Sequence, residues 1–276
     1  MSIKYPKSRK NYNALLITAA IDIEDKSIPY TVLTNTEKRL NQYIISLKYA
    51  IEHYHKIDTI IFCDNTNLDY DYSNLFIIAE KYNKLLEVLR FRGDYENIQQ
   101  KGKGYGEGEI INYVLENSKL IHNAEYFYKL TGRILIQNFD KIIKFSKSNH
   151  FIFPSGITNS RKETETFFYL VNINFYNNYL KDAYLQTNDK NGIYLEHVFY
   201  DRLHDKEIKS FCIYPKVIGI SASTGKPYTK KTINFLGTFL LNLLGLYNSK
   251  LSWNSKFVYF ILKKIIYKNG TDKKTM

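Results

Sequence analysis

The stretch ALLITAAIDIEDKSIPYTVLTNTEKRLNQYIISLKYAIEHYHKIDTIIFCD, residues 14–64, decides the fold class. It opens on an unbroken apolar run, Ala14–Ala20, and passes through a polar loop around Asp22–Ser27. Leu40, Ile44, Leu47, Ile51 and Tyr54 then recur at helical spacing, and a second apolar run, Thr59–Cys63, breaks at Asp64-Asn65. Strands that are apolar throughout are covered on both faces, as in parallel sheets. The pattern predicts strand, helix over Thr34–His55, strand, with Thr34 and Glu37 at capping-box spacing.

The alternation continues on the C-terminal side. Tyr72–Asn83 reads as a helix and Leu85–Phe91 as a third strand. A glycine-rich stretch, Gly102–Gly108, leads into a helix from about Glu109 to Asn117. Tyr126–Leu130 is a fourth strand, interrupted by Thr131-Gly132-Arg133. The expected architecture is α/β, a mostly parallel central sheet with helices on both faces. Such sheets bind ligands beyond the carboxyl ends of their strands, at a topological switch point. Thr18–Asp22, Asp64–Asn67 and Thr131–Arg133 are therefore site candidates. The second half is less regular, with strands expected at His150–Pro154 and Thr166–Val171 and helices at Asn172–Lys181 and Tyr194–Leu203. Asp189 and Gly192 introduce the last helix, and the short apolar runs Phe211–Ile213 and Val217–Ile220 follow it.

Composition narrows the class. The 276 residues suffice for one large domain, or one domain and an appendage, with a buried core. Hydrophobic content of 44% with 24% charged residues excludes a globally disordered chain. A net charge of +12 points to a polyanionic partner: nucleic acid, anionic membrane or a phosphorylated substrate. Two cysteines, Cys63 in an apolar run and Cys212 beside Phe211, read as buried thiols of a reducing compartment. The charged start MSIKYPKSRKNYN has no signal-peptide pattern.

Several motifs fail on spacing. The Gly102, Gly104, Gly106, Gly108 series has Glu107 where a dinucleotide fingerprint needs glycine or alanine, and it follows no clear strand. Gly219 to Gly225-Lys226 is one residue too long for a phosphate-binding P-loop, and Pro227 stands in place of its hydroxyl residue. Asp69-Tyr70-Asp71 has the form of a metal-holding Asp-x-Asp but sits in a polar turn after the second strand, where a solvated turn is the expectation. No histidine pair has metal-ligand context.

Two constellations carry chemistry. At the end of the fourth strand, Lys129 and Arg133 flank Thr131 and Gly132. The glycine permits close approach of a ligand, and the cations suit a diphosphate, although both also suit structural ion pairs. Further on, Glu196 and His197 open a helix that also carries Arg202. A carboxylate there can act as a general base or serve only the helix terminus.

The strand order, KGKGYGEGE at 101–109, YKLTGR at 128–133 and YLEHVFYDRL at 194–203 resemble bacterial capsule and O-antigen glycosyltransferases with a GT-A-like fold. The resemblance covers roughly residues 12–228. It implies a nucleotide-sugar donor held at the first strands by Thr18, Asp22, Arg39 and Asp64, and further by Lys129, Thr131, Gly132 and Lys226. It implies a mobile loop over Lys101–Gly108 closing on the donor, with Lys103, Tyr105, Glu107 and Glu109 as its contacts. Glu196 is the implied base, Arg133 the cation at the leaving diphosphate, and His197 and Arg202 acceptor contacts. His197 stands where such enzymes carry a second acid. Thr131-Gly132-Arg133 replaces the Asp-x-Asp that holds Mn or Mg in many relatives, so no metal ligand is assigned and a divalent metal has no firm place.

Residues 229–276 change character, which divides the chain into a domain over 1–228 and an appendage over 229–276. Ile233–Leu246 is almost wholly apolar yet shorter than the roughly 20 residues a membrane span needs. Tyr247 and Trp253 suit an interface, and Phe257, Val258, Phe260, Ile261, Ile265 and Ile266 lie beside Lys256, Lys263, Lys264 and Lys268. This reads as basic amphipathic helices on an anionic membrane surface, or as a helical hairpin on the core. Three functions result. The first is a glycosyltransferase of surface polysaccharide (capsule, lipopolysaccharide) synthesis, cytoplasmic and peripheral on the inner face of the membrane, with a lipid-linked acceptor. The second is a non-catalytic membrane-associated scaffold. The third is a nucleic-acid binder, for which no recognition motif exists, so no nucleic-acid partner is expected.

Overall fold

The computed structural model describes residues 13–23, 28–145, 151–154, 157–158, 162–206, 208–211, 213–221, 225 and 227–228. Its elements run β1 (Asn13–Ala19), α1 (Thr36–His53), β2 (Thr59–Asp64), α2 (Ser73–Lys81), β3 (Leu85–Arg90), α3 (Tyr95–Lys101), α4 (Lys103–Asn117) and β4 (Tyr126–Thr131). Then come β5 (Ile134–Ile136), α5 (Phe139–Phe145), β6 (Phe151–Phe153), β7 (Ile157–Thr158), β8 (Glu163–Thr164), β9 (Phe168–Asn172), α6 (Ile173–Tyr179), α7 (Leu195–Leu203), β10 (Lys209–Ser210) and β11 (Val217–Gly219). The expected amphipathic segment after residue 228, with Lys226 and Cys212, lies outside the described residues.

The α/β expectation holds. Seven strands form one sheet in the order β10-β6-β9-β4-β1-β2-β3, and β4, β1, β2 and β3 are mutually parallel. β9 runs antiparallel between β4 and β6. Two-residue alternation sorts the side chains of each strand. Leu15 and Ile17 of β1, Ile60 and Phe62 of β2, and Tyr128 and Leu130 of β4 face one core with Tyr43, Leu47 and Ile51 of α1. Leu16, Ile61, Cys63 and Phe127 face the other, with Ile110, Ile111 and Val114 of α4 and Val198 and Phe199 of α7. Lys129 has the parity of Phe127, so its strand delivers it to the α4 face.

The structure departs from the sequence pattern in several places. Helix α1 is capped by Asn35, whose side chain accepts from the Lys38 amide, in place of the Thr34–Glu37 box. Helices α3 and α5 and strand β5 have no counterpart in the pattern. Most consequentially, Lys101–Gly108 is no mobile loop. Lys101 ends α3, Lys103 already opens α4, and Gly104, Gly106 and Gly108 lie in the first two turns of α4. Of these glycines only Gly102 has a positive φ, +98°, at the junction of the two helices. A Cβ at Gly108 would overlap the Tyr184 side chain, so glycine there lets α4 lie close against its neighbour. The alternating glycines are helix-packing positions.

Candidate active site

The carboxyl ends of β1, β2 and β4 open into a cleft of about 310 Å³. The chain leaves β1 for β2 on one side and returns to β4 on the other, so the cleft lies at the switch point of the sheet. Thr18, Asp22, Thr66, Thr131 and Arg133 line it from the strand ends. The first turns of α4 and α7 close the opposite wall with Lys103, Glu107 and Glu196, and Asp189 lies beside them.

The strand-end residues divide into liners and builders. Asp64 is fully buried and accepts from the amides of Ile21, Thr66 and Leu68 and from the Thr66 hydroxyl. It ties the two loops together and does not line the cleft, which corrects its expected role as a donor contact. Burial pushes its carboxyl up against those hydrogen bonds. Arg39 lines the cleft, but its guanidinium is committed to the carbonyls of Ala20, Ile21 and Leu33. It shapes the loop after β1. Asp22 lines the cleft and accepts from the Thr36 hydroxyl at 2.6 Å. Gly132 serves backbone packing, since a Cβ there would stand 2.6 Å from the Thr18 carbonyl oxygen. Arg133 is 8% exposed, lines the cleft and donates a long hydrogen bond of 3.5 Å to the Gln42 side chain.

The expected contacts on α4 also separate. Tyr105 packs with Ile23, Ile28 and Ile98 in a small core, and Glu109 accepts from the Asp94 amide at 2.7 Å. Neither is among the side chains that line the cleft. Lys103 and Glu107 do line it. Burial draws the Lys103 ammonium below its ordinary range, and Asp189 opposes that shift. Lys129 is 0% exposed and lies beneath the cleft, with Nζ 2.6 Å from Glu107 Oε1. It is therefore unavailable to a diphosphate, contrary to expectation.

Glu196 projects from the first turn of α7 and accepts from the Thr166 hydroxyl at 2.9 Å. Burial, reinforced by Glu107, raises its carboxyl above the usual range, against the pull of Thr166 and Lys129. The other expected contacts on α7 face elsewhere. His197 closes a capping box with Tyr194, its Nδ1 lying 3.0 Å from the Gly192 carbonyl oxygen. Arg202 pairs with Asp182 at 2.6 Å on the outside of the fold. Six residues turn a helix by roughly 240°, so Arg202 leaves the face that Glu196 occupies.

Sequence reasoning missed Asp189 as a site residue. Its Oδ2 accepts from the Lys103 amide at 3.0 Å, at the N-terminus of α4. Its pKa is pushed up to about 6, by burial first and by Glu196 as well, while Lys103 opposes the shift. Nothing in local spacing connects residue 189 to a helix that starts at 103. Thr66, inside the candidate stretch Asp64–Asn67, lines the cleft, and Thr166 and Arg92 are further liners found only in three dimensions.

Neither Asp69-Tyr70-Asp71 nor the end of β4 offers a divalent cation a set of ligands. Asp69 pairs with Arg90 at 2.8 Å and Asp71 accepts from the Ser73 amide, both at the surface. At the end of β4 a cationic Arg133 stands where a metal ligand is needed. In the cleft Asp22 is engaged by Thr36 and Glu107 by Lys129, while Asp189 holds the start of α4 through Oδ2 and keeps a buried Oδ1 with no hydrogen-bond partner among the described residues. Among the described residues no cluster of three or more His, Cys, Asp or Glu side chains is placed to hold a metal.

No protein-family model matches the chain, and no curated relative does either. Several solved structures align with the chain at low similarity. HddC from Yersinia pseudotuberculosis is 13% identical with a TM-score of 0.38, over 75% of this chain and 93% of that one. The glycosyltransferase GlyE of Streptococcus pneumoniae is 8% identical with a TM-score of 0.46, over 73% of this chain and 45% of that one. Core-mannan synthase A of Aspergillus fumigatus, in a Mn/GDP form, is 9% identical with a TM-score of 0.44, over 83% of this chain and 80% of that one. Identities and TM-scores this low carry no argument about this chain.

Proposed function

We propose that the chain is a glycosyltransferase moving a sugar from a nucleotide-sugar donor to a glycan acceptor. The observation that carries this reading is one switch-point cleft lined by both the cationic Arg133 and the desolvated carboxylate of Glu196. The acceptor hydroxyl gives its proton to Glu196 while its oxygen bonds to the anomeric carbon. The bond from that carbon to the phosphate oxygen breaks, and its electron pair leaves on the nucleoside diphosphate. Arg133 and Lys103 offset the charge that develops there. UDP-, GDP-, CMP- and dTDP-sugars, each with and without Mn²⁺, form the direct test. At about 100 times Kd a bound donor stabilises by about 2.7 kcal/mol, a rise in Tm of several degrees. If none of these raises Tm, the donor reading is wrong.

Within that reading, a lipid-linked acceptor in surface polysaccharide synthesis and attachment to the inner face of the membrane are supported by residues 229–276. Their apolar sets alternate with lysines. Each lysine near anionic lipid contributes about 1 kcal/mol, and the apolar side chains add to it. The full-length protein is expected to sediment with phosphatidylglycerol vesicles and less so with neutral phosphatidylcholine vesicles, with partial release by salt. Equal or absent sedimentation with both would remove the anchor.

A further inference from the structure

Beneath the cleft, one buried cation joins two carboxylates. Lys129 Nζ lies 2.6 Å from Glu107 Oε1, and it donates to Thr131 Oγ1 at 3.0 Å and to the Thr166 carbonyl at 2.9 Å. The Thr166 hydroxyl in turn donates to Glu196 Oε1 at 2.9 Å. Lys129 thus grips the residue that holds Glu196 and neutralises the acid that competes with it. Desolvating a fully buried lysine and its partner can cost more than their attraction returns, so the pair is weak evidence of a purely stabilising role.

We propose that Lys129 and Glu107 are paired positioning residues for Glu196: the ammonium fixes the Thr166 strut, and the pair sets the charge state in which Glu196 meets the acceptor. The proposal rests on the reading of Glu196 as base. The charged and titratable groups that act on Glu196 are Lys103 and Glu107 from α4, Lys129 from β4, Asp189, Tyr194 and Tyr228. Glu107 opposes ionisation of Glu196 and Lys129 favours it, so the two members of the pair act in opposite directions.

The test is a carboxyl ¹³C NMR titration of glutamate-labelled full-length protein, with the Glu196 signal assigned by its loss in Glu196→Gln. Glu107→Gln removes the like charge that opposes ionisation of Glu196 and is expected to lower the Glu196 midpoint by about one pH unit. Lys129→Met is expected to raise it. Glu107→Gln leaves a fully buried lysine and Lys129→Met a part-buried acid without its partner, so either single variant is at risk of not folding, and the double variant carries neither charge. Glu107→Gln/Lys129→Met removes both charges, so its midpoint is expected above that of Glu107→Gln alone. A midpoint unmoved in Glu107→Gln, or one that adding Lys129→Met does not raise again, overturns the proposal. No donor is needed for this titration, so its failure leaves the thermal-shift result on donor binding untouched.

Discussion

Glu196→Gln is expected to lower kcat by about 10²-fold or more while the donor still raises Tm. Glutamine keeps the oxygen that accepts from Thr166 at 2.9 Å, so the geometry of the first turn of α7 survives and only the proton acceptor is lost. Burial holds the Glu196 carboxyl above its ordinary range, so the base becomes protonated sooner as pH falls. The acid limb of the wild-type rate profile therefore lies above the usual glutamate value and is expected to vanish in the variant. Stability follows the opposite sign. A carboxyl whose folded pKa is raised stabilises the fold fully only below its unfolded pKa and loses that contribution as pH rises through the folded pKa. Glu196→Gln should then melt higher than wild type at neutral pH. Near-normal turnover in a folded variant would remove Glu196 from the reaction.

The parts of this fold legible in sequence are those whose burial leaves a periodic trace. β1 and β2 are covered on both faces, so Ala14–Ala19 and Thr59–Cys63 read as continuous apolar runs, and α1 between them shows its buried stripe. The strand ends that form the cleft followed from that order alone. Contacts between distant segments left no such trace. The glycines at 104, 106 and 108 disfavour a helix by propensity, yet Leu195, Ile98 and Tyr184 pack where their side chains would be, and tertiary contact overrides the local preference. Lys129 reads as a cation at a strand end, but strand parity turns it beneath the cleft toward Glu107. Asp189 and Thr166 had no sequence signal, because each joins the site through a partner more than twenty residues away.

Arg133→Met is expected to lower kcat/KM by about 10²- to 10³-fold, the scale for removing one preorganised donor at a developing anion. The expectation rests on place and surroundings. Arg133 follows β4 at the mouth of the cleft, and its hydrogen bond to Gln42 is long enough, at 3.5 Å, to yield to a phosphate oxygen. Arg39 cannot take over, since its guanidinium is held by the carbonyls of Ala20, Ile21 and Leu33. Arg133→Lys keeps the charge but loses the planar fork, so partial activity is expected, with the greater loss in kcat. Because Arg133 stands where a metal ligand is required, wild-type activity should persist in EDTA. Arg133→Met should not be rescued by Mn²⁺, which has no carboxylate cluster to occupy among the described residues. Complete loss of wild-type activity in EDTA with full recovery on adding Mn²⁺ would transfer the leaving-group role from Arg133 to a metal. Full activity of folded Arg133→Met in EDTA would leave the diphosphate to Lys103, the lysine that lines the cleft among the described residues.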